Sequence, residues 1–363
     1  MRKRRVAPWA AVTLFTVLLA SAISVAMFRW LQGAGPPRGE GLPQFTGSPG
    51  VTAKGAKLWG SANRNLYAPV DSPQYVGVAA AAKFLDLDDR VYVIRTPDAT
   101  FVYPEVLLTS YHIVNDTVGG EPLSITYCLL AGSACSLSRR LDNRVLSLGM
   151  SGQLYCGNSV LYDRETQTDW LQLNGEPLQG YFYGKARLAA QTLECSRWRR
   201  VAGERNVKVL APVQDMGGYR AFQRDMETER LGQKVVESQQ KLDPRLLPYL
   251  KGIGITVQGD KRFYVMNPGG PRRVRNETLG GWDLILLEDG DPDASRVFRR
   301  KLGSQLLSFD LVGGVLRDRE TGSTWNNDGR CVSGKLQGTS LDIPYYSRVY
   351  WFVWSALYPE TQI

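Results

Sequence analysis

The sequence predicts a mainly β protein, α+β only at its margins: two pseudo-repeated antiparallel β lobes with short helices, preceded by one N-terminal transmembrane helix. Three observations predict this. First, Asp163-Arg164-Glu165-Thr166-Gln167-Thr168-Asp169-Trp170 returns as Asp318-Arg319-Glu320-Thr321-Gly322-Ser323-Thr324-Trp325. Second, upstream of each copy, Asn115-Asp116-Thr117-Val118-Gly119-Gly120 is matched by Asn276-Glu277-Thr278-Leu279-Gly280-Gly281. Two matched blocks in one order mean a duplicated structural unit. Third, Val6 to Phe28 is apolar, follows Arg2-Lys3-Arg4-Arg5 and ends at Arg29. About 20 apolar residues suffice to span a bilayer.

The basic tip stays in the cytoplasm. Residues 1–30 are therefore a cytoplasmic tip and single-pass anchor in the inner (plasma) membrane, meeting the lipid bilayer through residues 6–28. The C-terminal body lies outside, in the periplasm. A cleaved signal peptide ending at Ala20-Ser21-Ala22 is the alternative, but the apolar run continues past it. Both readings export the body.

Residues 31–64 are rich in Gly, Pro, Ser and Asn and predict a flexible linker. Lobe one takes residues 65–215. Ser72-Pro73 starts a helix-capping pattern, and the four alanines between Val76 and Leu85 predict a short helix. Arg90–Ile94 and Ala99–Tyr103 are strands around the turn Thr96-Pro97-Asp98. Gly119-Gly120 is a two-residue hairpin loop between Ile113–Val118 and Pro122–Tyr127. A strand pair follows near Leu137–Leu141 and Val145–Leu148. Asp163 to Thr166 is a turn, and Gly175, Gly180 and Gly184 punctuate short strands. Residues 216–250 are a polar, helix-permissive connector ending at Asp243-Pro244. Lobe two, residues 251–363, repeats the plan and ends in an aromatic helix from Ser347 to Leu357, which closes its core.

With 363 residues, 43% of them apolar, the chain can bury two cores. The net charge of +9 falls to +5 without the N-terminal cluster, leaving 40 basic against 35 acidic residues. Arg272-Arg273-Val274-Arg275 and Arg296 to Lys301 then read as solvated basic loops. No nucleic-acid-binding fold is present. Phosphate-cradling glycine loops and paired catalytic carboxylates are absent from the sequence pattern, and no cofactor is identified.

The ordered set Val114-Asn115-Asp116-Thr117, Gly119-Gly120, Thr126-Tyr127-Cys128, Ser151-Gly152-x-Leu154-Tyr155, Tyr162-Asp163-Arg164-x-Thr166 and Trp170 resembles a bacterial family, domain of unknown function 3179. In lobe two the resemblance includes Asp318 to Trp325, Ser333-Gly334-x-Leu336-x-Gly338-Thr339 and the terminal aromatic helix. It covers roughly residues 65 to 363. It implies an architecture and an exported, membrane-anchored location, and it implies no reaction. Members often continue Thr-Tyr-Cys as Cys-Pro-Leu-Cys or Cys-Pro-Leu-Thr. Here the run is Cys128-Leu129-Leu130-Ala131, so a Cys-x-x-Cys couple or clamp is not available at that place.

Features held in both lobes point to the fold. Asp163, Arg164, Trp170, Asp318, Arg319 and Trp325 are accordingly read as structural, as are Asn115 and Asn276, both in Asn-x-Thr sequons. Features held in lobe one alone point to function. Leu148 to Asp163 is six residues longer than Phe309 to Asp318, and the excess brackets Tyr155-Cys156-Gly157-Asn158. This gives a candidate pocket of His112, Asn115, Asp116, Cys128, Cys156, Asn158 and Tyr162.

His112 is the sole histidine, so multi-histidine metal sites are excluded, and any serine hydrolase triad must use it. Hairpin register puts His112 opposite Tyr127, with Val114 and Ile125, and turns Cys128 to the other face. A hydrogen-bonded core histidine is the reading this supports. Of the five cysteines, Cys128 pairs with Cys135 or Cys156 in a disulfide, or remains an inert thiol. The function expected is a ligand- or partner-binding and assembly module of the cell envelope, its partner an envelope protein or small ligand. The alternatives are a thiol-based redox or copper-type site using Cys128, Cys156 and Met150, and a hydrolase using His112.

Overall fold

The computed structural model describes residues 50–51, 57–60, 64, 67–213, 218–220 and 242–363. The apolar run 6–28 and most of the 216–250 connector lie outside the described residues. Among those described, no helix is long and apolar enough to cross a membrane. The body is mainly β, with several sheets and a few short helices.

The chain first makes a sheet in the order Glu194–Arg197, Arg90–Arg95, Thr100–Pro104, Val207–Leu210, Tyr75–Val76. Thr100–Pro104 leads directly into the helix Glu105–Tyr111, which the sequence reading did not anticipate. All seven of its residues are buried. A helix buried all round carries no polar stripe, so periodicity cannot separate it from a strand. His112 ends it at φ 59°, in the left-handed region.

The hairpin Ile113–Val118/Glu121–Cys128 follows, with Gly119 and Gly120 at φ 59° and 85°. Both values are positive, as the favoured twisted two-residue loop requires. Val118 faces Glu121 and Ile113 faces Thr126, the register expected. Ser133–Ser138 and Ala190–Thr192 extend this sheet. A third sheet is built on Leu148–Tyr155, Asn158–Asp163, Asp169–Leu171 and Pro177–Gln179.

A further set of hairpins follows beyond residue 250. The hairpin Lys251–Val257/Asp260–Val265 precedes the hairpin Arg273–Leu279/Trp282–Glu288, which Arg296–Arg299 extends. Phe309–Val312, Val315–Asp318, Thr324–Trp325 and Cys331–Ser333 then form a four-stranded sheet.

Three expectations change. Lys57–Gly60, placed in the flexible linker, pairs with Leu148–Tyr155 and buries Leu58, so hydrophobic burial fixes it. Tyr346–Tyr350 is a strand against Lys251–Val257, and the terminal helix starts later, at Trp351. Alternating Tyr346, Arg348 and Tyr350 suit a strand better than a helix start. That helix also does more than close lobe two. Trp351, Phe352, Val353 and Trp354 pack with Phe263 and with Leu154, Val160, Leu171 and Leu173 of lobe one.

The six extra residues of lobe one lengthen a hairpin that turns at Cys156-Gly157. Its tip reaches the terminal helix, where the Cys156 thiol lies 3.8 Å from the Ala356 carbonyl.

Candidate functional site

Asn115 and Asp116 sit side by side on one strand and do different work. The Asn115 amide donates to the Leu148 carbonyl at 2.9 Å and to Asp71 at 2.7 Å, and its oxygen accepts from the Leu148 N–H at 3.3 Å. Asn276 does the same to Phe309, donating and accepting at 2.8 Å. Each asparagine thus staples one hairpin to the next. Asp116 is buried and accepts from the Tyr103 hydroxyl at 2.6 Å and from Tyr75. Glu277, at the matching position, accepts from Tyr264 at 2.8 Å and from Arg262 at 2.8 Å.

The repeated turn residues hold the chain to itself. Asp163 accepts from the Thr166 hydroxyl at 2.8 Å and the Trp170 indole at 3.0 Å. Asp318 accepts from the Thr321 hydroxyl at 2.8 Å and the Trp325 indole at 2.9 Å. Arg164 pairs with Asp71 and Arg319 with Asp310, both on the exposed side.

Asn158 lies in a buried polar knot between the sheets of lobe one. It donates to Gln172 at 2.9 Å and accepts the Leu173 N–H at 2.9 Å, while Gln172 also accepts from Ser133 at 3.0 Å. Cys128 is fully packed. Tyr162 lies under the Arg64 guanidinium, 4.3 Å from ring centre, and its ring covers Gly149. Asn115 and Asp116, consecutive on one strand, therefore turn to opposite faces, and the remaining five residues lie in core and surface settings of their own.

All five cysteines are free, so no disulfide joins Cys128 to Cys135 or Cys156. Burial raises the Cys128 thiol, and pushes Cys135 and Cys195 up to about 12 and Cys156 up to about 11. Thiols so held are protonated at neutral pH and poor nucleophiles. Among the described residues no group of three or more His, Cys, Asp or Glu side chains is placed to hold a metal ion.

His112 is buried, with the Tyr67 ring edge-on at 4.4 Å between centroids. No hydrogen bond reaches either ring nitrogen from the described residues, which departs from the hydrogen-bonded histidine expected. Its register partner Tyr127 instead donates its N–H to the His112 carbonyl at 2.8 Å. Burial lowers the imidazole to about 4. Neutral and without a hydrogen-bonded carboxylate among the described residues, it lacks the orientation a catalytic base needs.

An open space lies in lobe two. A groove of about 290 Å³ runs between Phe263, Tyr264 and Val265 on one wall and Arg273 and Arg275 on the other, with Glu288 and Ile363 at its border. A narrower recess continues it past Val265 and Arg273 toward Met266, Asn267 and Ser295. Both walls are sheet-edge strands: Asp260–Val265 and Arg273–Leu279 each end their sheet. Arg275 is paired with Glu288 and Glu277. No acid pairs with Arg273 among the described residues.

The sequence reading took Arg273 and Arg275 for solvated loops. The signal that finds them was already in the matched blocks. Counting back from Asn115 and Asn276, Arg273 takes the place of His112 and Arg275 that of Val114. Two strand positions that are apolar or neutral in one half are cationic in the other.

No curated protein and no solved structure matches this chain. A family model described as "Protein of unknown function (DUF3179)" matches residues 68–361, which takes in the asparagine staples, both Asp–Trp turns, the groove and the aromatic helix. The chain belongs to the DUF3179 family.

Proposed function

We propose that this protein is a ligand- or partner-binding module of the cell envelope, made by tandem duplication of one β unit and held at the outer face of the inner membrane by residues 6–28. The duplication is supported by the paired geometries of Asn115 and Asn276, and of Asp163 and Asp318. The anchor rests on the apolar run and its basic tip.

One observation carries the binding reading: an open groove between two sheet edges in lobe two, lined by aromatic, apolar and cationic side chains. Pockets that pair an apolar lining with a few charged groups are ordinary ligand sites. The thiol-redox and hydrolase alternatives gain nothing from the buried, protonated cysteines and the unpartnered His112.

The test places a photocrosslinking amino acid at Val265 in cells, with the exposed Leu87 of lobe one as control. A discrete adduct at Val265 that Arg273→Glu removes, with no adduct at Leu87, is the result expected. Equal labelling at both positions, or an adduct indifferent to Arg273→Glu, would overturn the groove as the binding site.

A further inference from the structure

The two halves treat one sheet edge differently. In lobe one, Thr100–Pro104 is covered by Val207–Leu210, which runs parallel to it with Lys208 opposite Phe101 and Val209 opposite Val102. The matching edge of lobe two is Asp260–Val265. The match is fixed by the tyrosines, because Tyr103 bonds Asp116 and Tyr264 bonds Glu277, each thirteen residues on. Phe101 then corresponds to Arg262, Val102 to Phe263 and Pro104 to Val265.

Opposite Arg262, also parallel, stands Gln362. Its N–H donates to the Lys261 carbonyl at 2.9 Å, and its carbonyl accepts from the Phe263 N–H at 2.8 Å. Gln362 therefore occupies the place of Lys208. Because backbone groups alternate in direction along a strand, the Phe263 carbonyl and the Val265 N–H point the same way, into the groove.

The facing wall differs in the same manner. In lobe one Val70 covers Ile113–Val118, donating to the Ile113 carbonyl at 3.0 Å and accepting from the Asn115 N–H at 2.8 Å. Among the described residues nothing pairs at the corresponding place on Arg273–Leu279. Among the described residues, lobe one thus completes itself with its own segments, and lobe two presents the same edges open.

We propose that lobe two binds an extended acidic peptide of a partner protein by strand addition, parallel to Asp260–Val265. The guest continues the line of Gln362, displaces the exposed Ile363 side chain, and pairs with the Phe263 carbonyl and Val265 N–H. Main-chain bonds supply the affinity of such additions and alternate side chains the specificity. Arg273, with no acid paired to it among the described residues, stands where lobe one has His112, so the guest side chain facing it is a carboxylate, which arginine binds in a fork. This inference rests on the groove being the binding site.

The test uses the full chain in detergent and a fluorescein-labelled, end-blocked pentapeptide alternating valine and glutamate. Saturable binding is expected. It should weaken at least tenfold when the central valine amide is N-methylated, when lysine replaces glutamate, and in Arg273→Glu. Val265→Pro should weaken it similarly while leaving the fold intact, since proline already occupies the matching position, Pro104, and a residue pointing outward gives up no ladder bond.

Binding that ignores both N-methylation and Val265→Pro would overturn strand addition while leaving the groove a ligand site. Absence of peptide binding alongside an Arg273-dependent crosslink at Val265 would also overturn it and spare the groove. Absence of both would sink the two readings together.

Discussion

At His112 two ordinary preferences are violated in one residue. The backbone is at φ 59°, where non-glycine residues are uncommon, and both ring nitrogens are buried without a partner among the described residues. Position explains the first: the chain must leave the helix Glu105–Tyr111 and enter the strand Ile113–Val118 within one residue. The second has a measurable consequence. With the folded-state value lowered from 6.5 to about 4, the imidazole between those two pH values is neutral in the fold and protonated in the unfolded chain. The unfolded state then binds the extra proton, so stability is full above pH 6.5 and declines as the pH falls toward 4. The shift corresponds to about 3 kcal/mol. His112→Phe, which cannot titrate, should remove that slope. Urea midpoints measured from pH 7 to pH 4 check it. A variant with the wild-type slope would mean that another group causes the acid sensitivity.

Among the elements, the strand Lys251–Val257 shows how glycine makes room for aromatic neighbours. Ile253 faces Tyr264 as Tyr92 faces Tyr103, so Gly252 and Gly254 stand where lobe one has Val91 and Val93. A Cβ on Gly254 would sit 2.2 Å from the Trp354 ring, and one on Gly252 2.3 Å from Phe263. Gly254 admits the terminal helix to the face of the sheet, and Gly252 leaves room for the Phe263 ring. Gly254→Ala should therefore destabilise by about 2–3 kcal/mol through overpacking, read as a lower urea midpoint at unchanged slope. An unchanged midpoint would show that the helix can retreat without loss.

These elements also mark what the sequence could and could not disclose. Gly119-Gly120 specified its hairpin and register locally, because positive φ at two adjacent residues selects one loop type. The Asp163 and Asp318 turns were legible because an aspartate at a turn start accepts from its own backbone, here the Thr166 and Thr321 N–H. The helix Glu105–Tyr111, the strand Tyr346–Tyr350 and the docking of Trp351 to Trp354 across both lobes were not, since each depends on burial by distant segments. The groove escaped notice because it lies between strands that have no further partner among the described residues, and an unpaired edge leaves no motif.

On the scale of the whole molecule, the lobes meet through charge as well as through the aromatic helix. Asp293, on the turn Pro292–Ala294 of lobe two, pairs with Arg90 at 2.8 Å and Arg197 at 3.0 Å, both from lobe one. Arg90 also pairs with Glu105 at 2.8 Å, and Arg296 reaches back to the Cys195 carbonyl at 3.0 Å. Burial alone would raise the Asp293 carboxyl, but Arg90, Lys251 and Arg348 outweigh it and hold it at about 2, against an ordinary 3.8. A depressed carboxylate contributes stability that is complete above pH 3.8 and is lost as the pH falls toward 2. The size is about 2 kcal/mol. Buried pairs are weak net stabilisers, yet removing one partner strands the others, at a cost of about 3–5 kcal/mol. Asp293→Asn leaves Arg90 to Glu105 and deprives Arg197 of its closest acid. It should destabilise at neutral pH and flatten the acid limb between pH 3.8 and 2, without touching the His112 step at higher pH. Unfolding midpoints of the single and double variants with His112→Phe separate the two windows. If Asp293→Asn keeps the low-pH limb, the junction between the lobes is held by the aromatic helix and not by this acid.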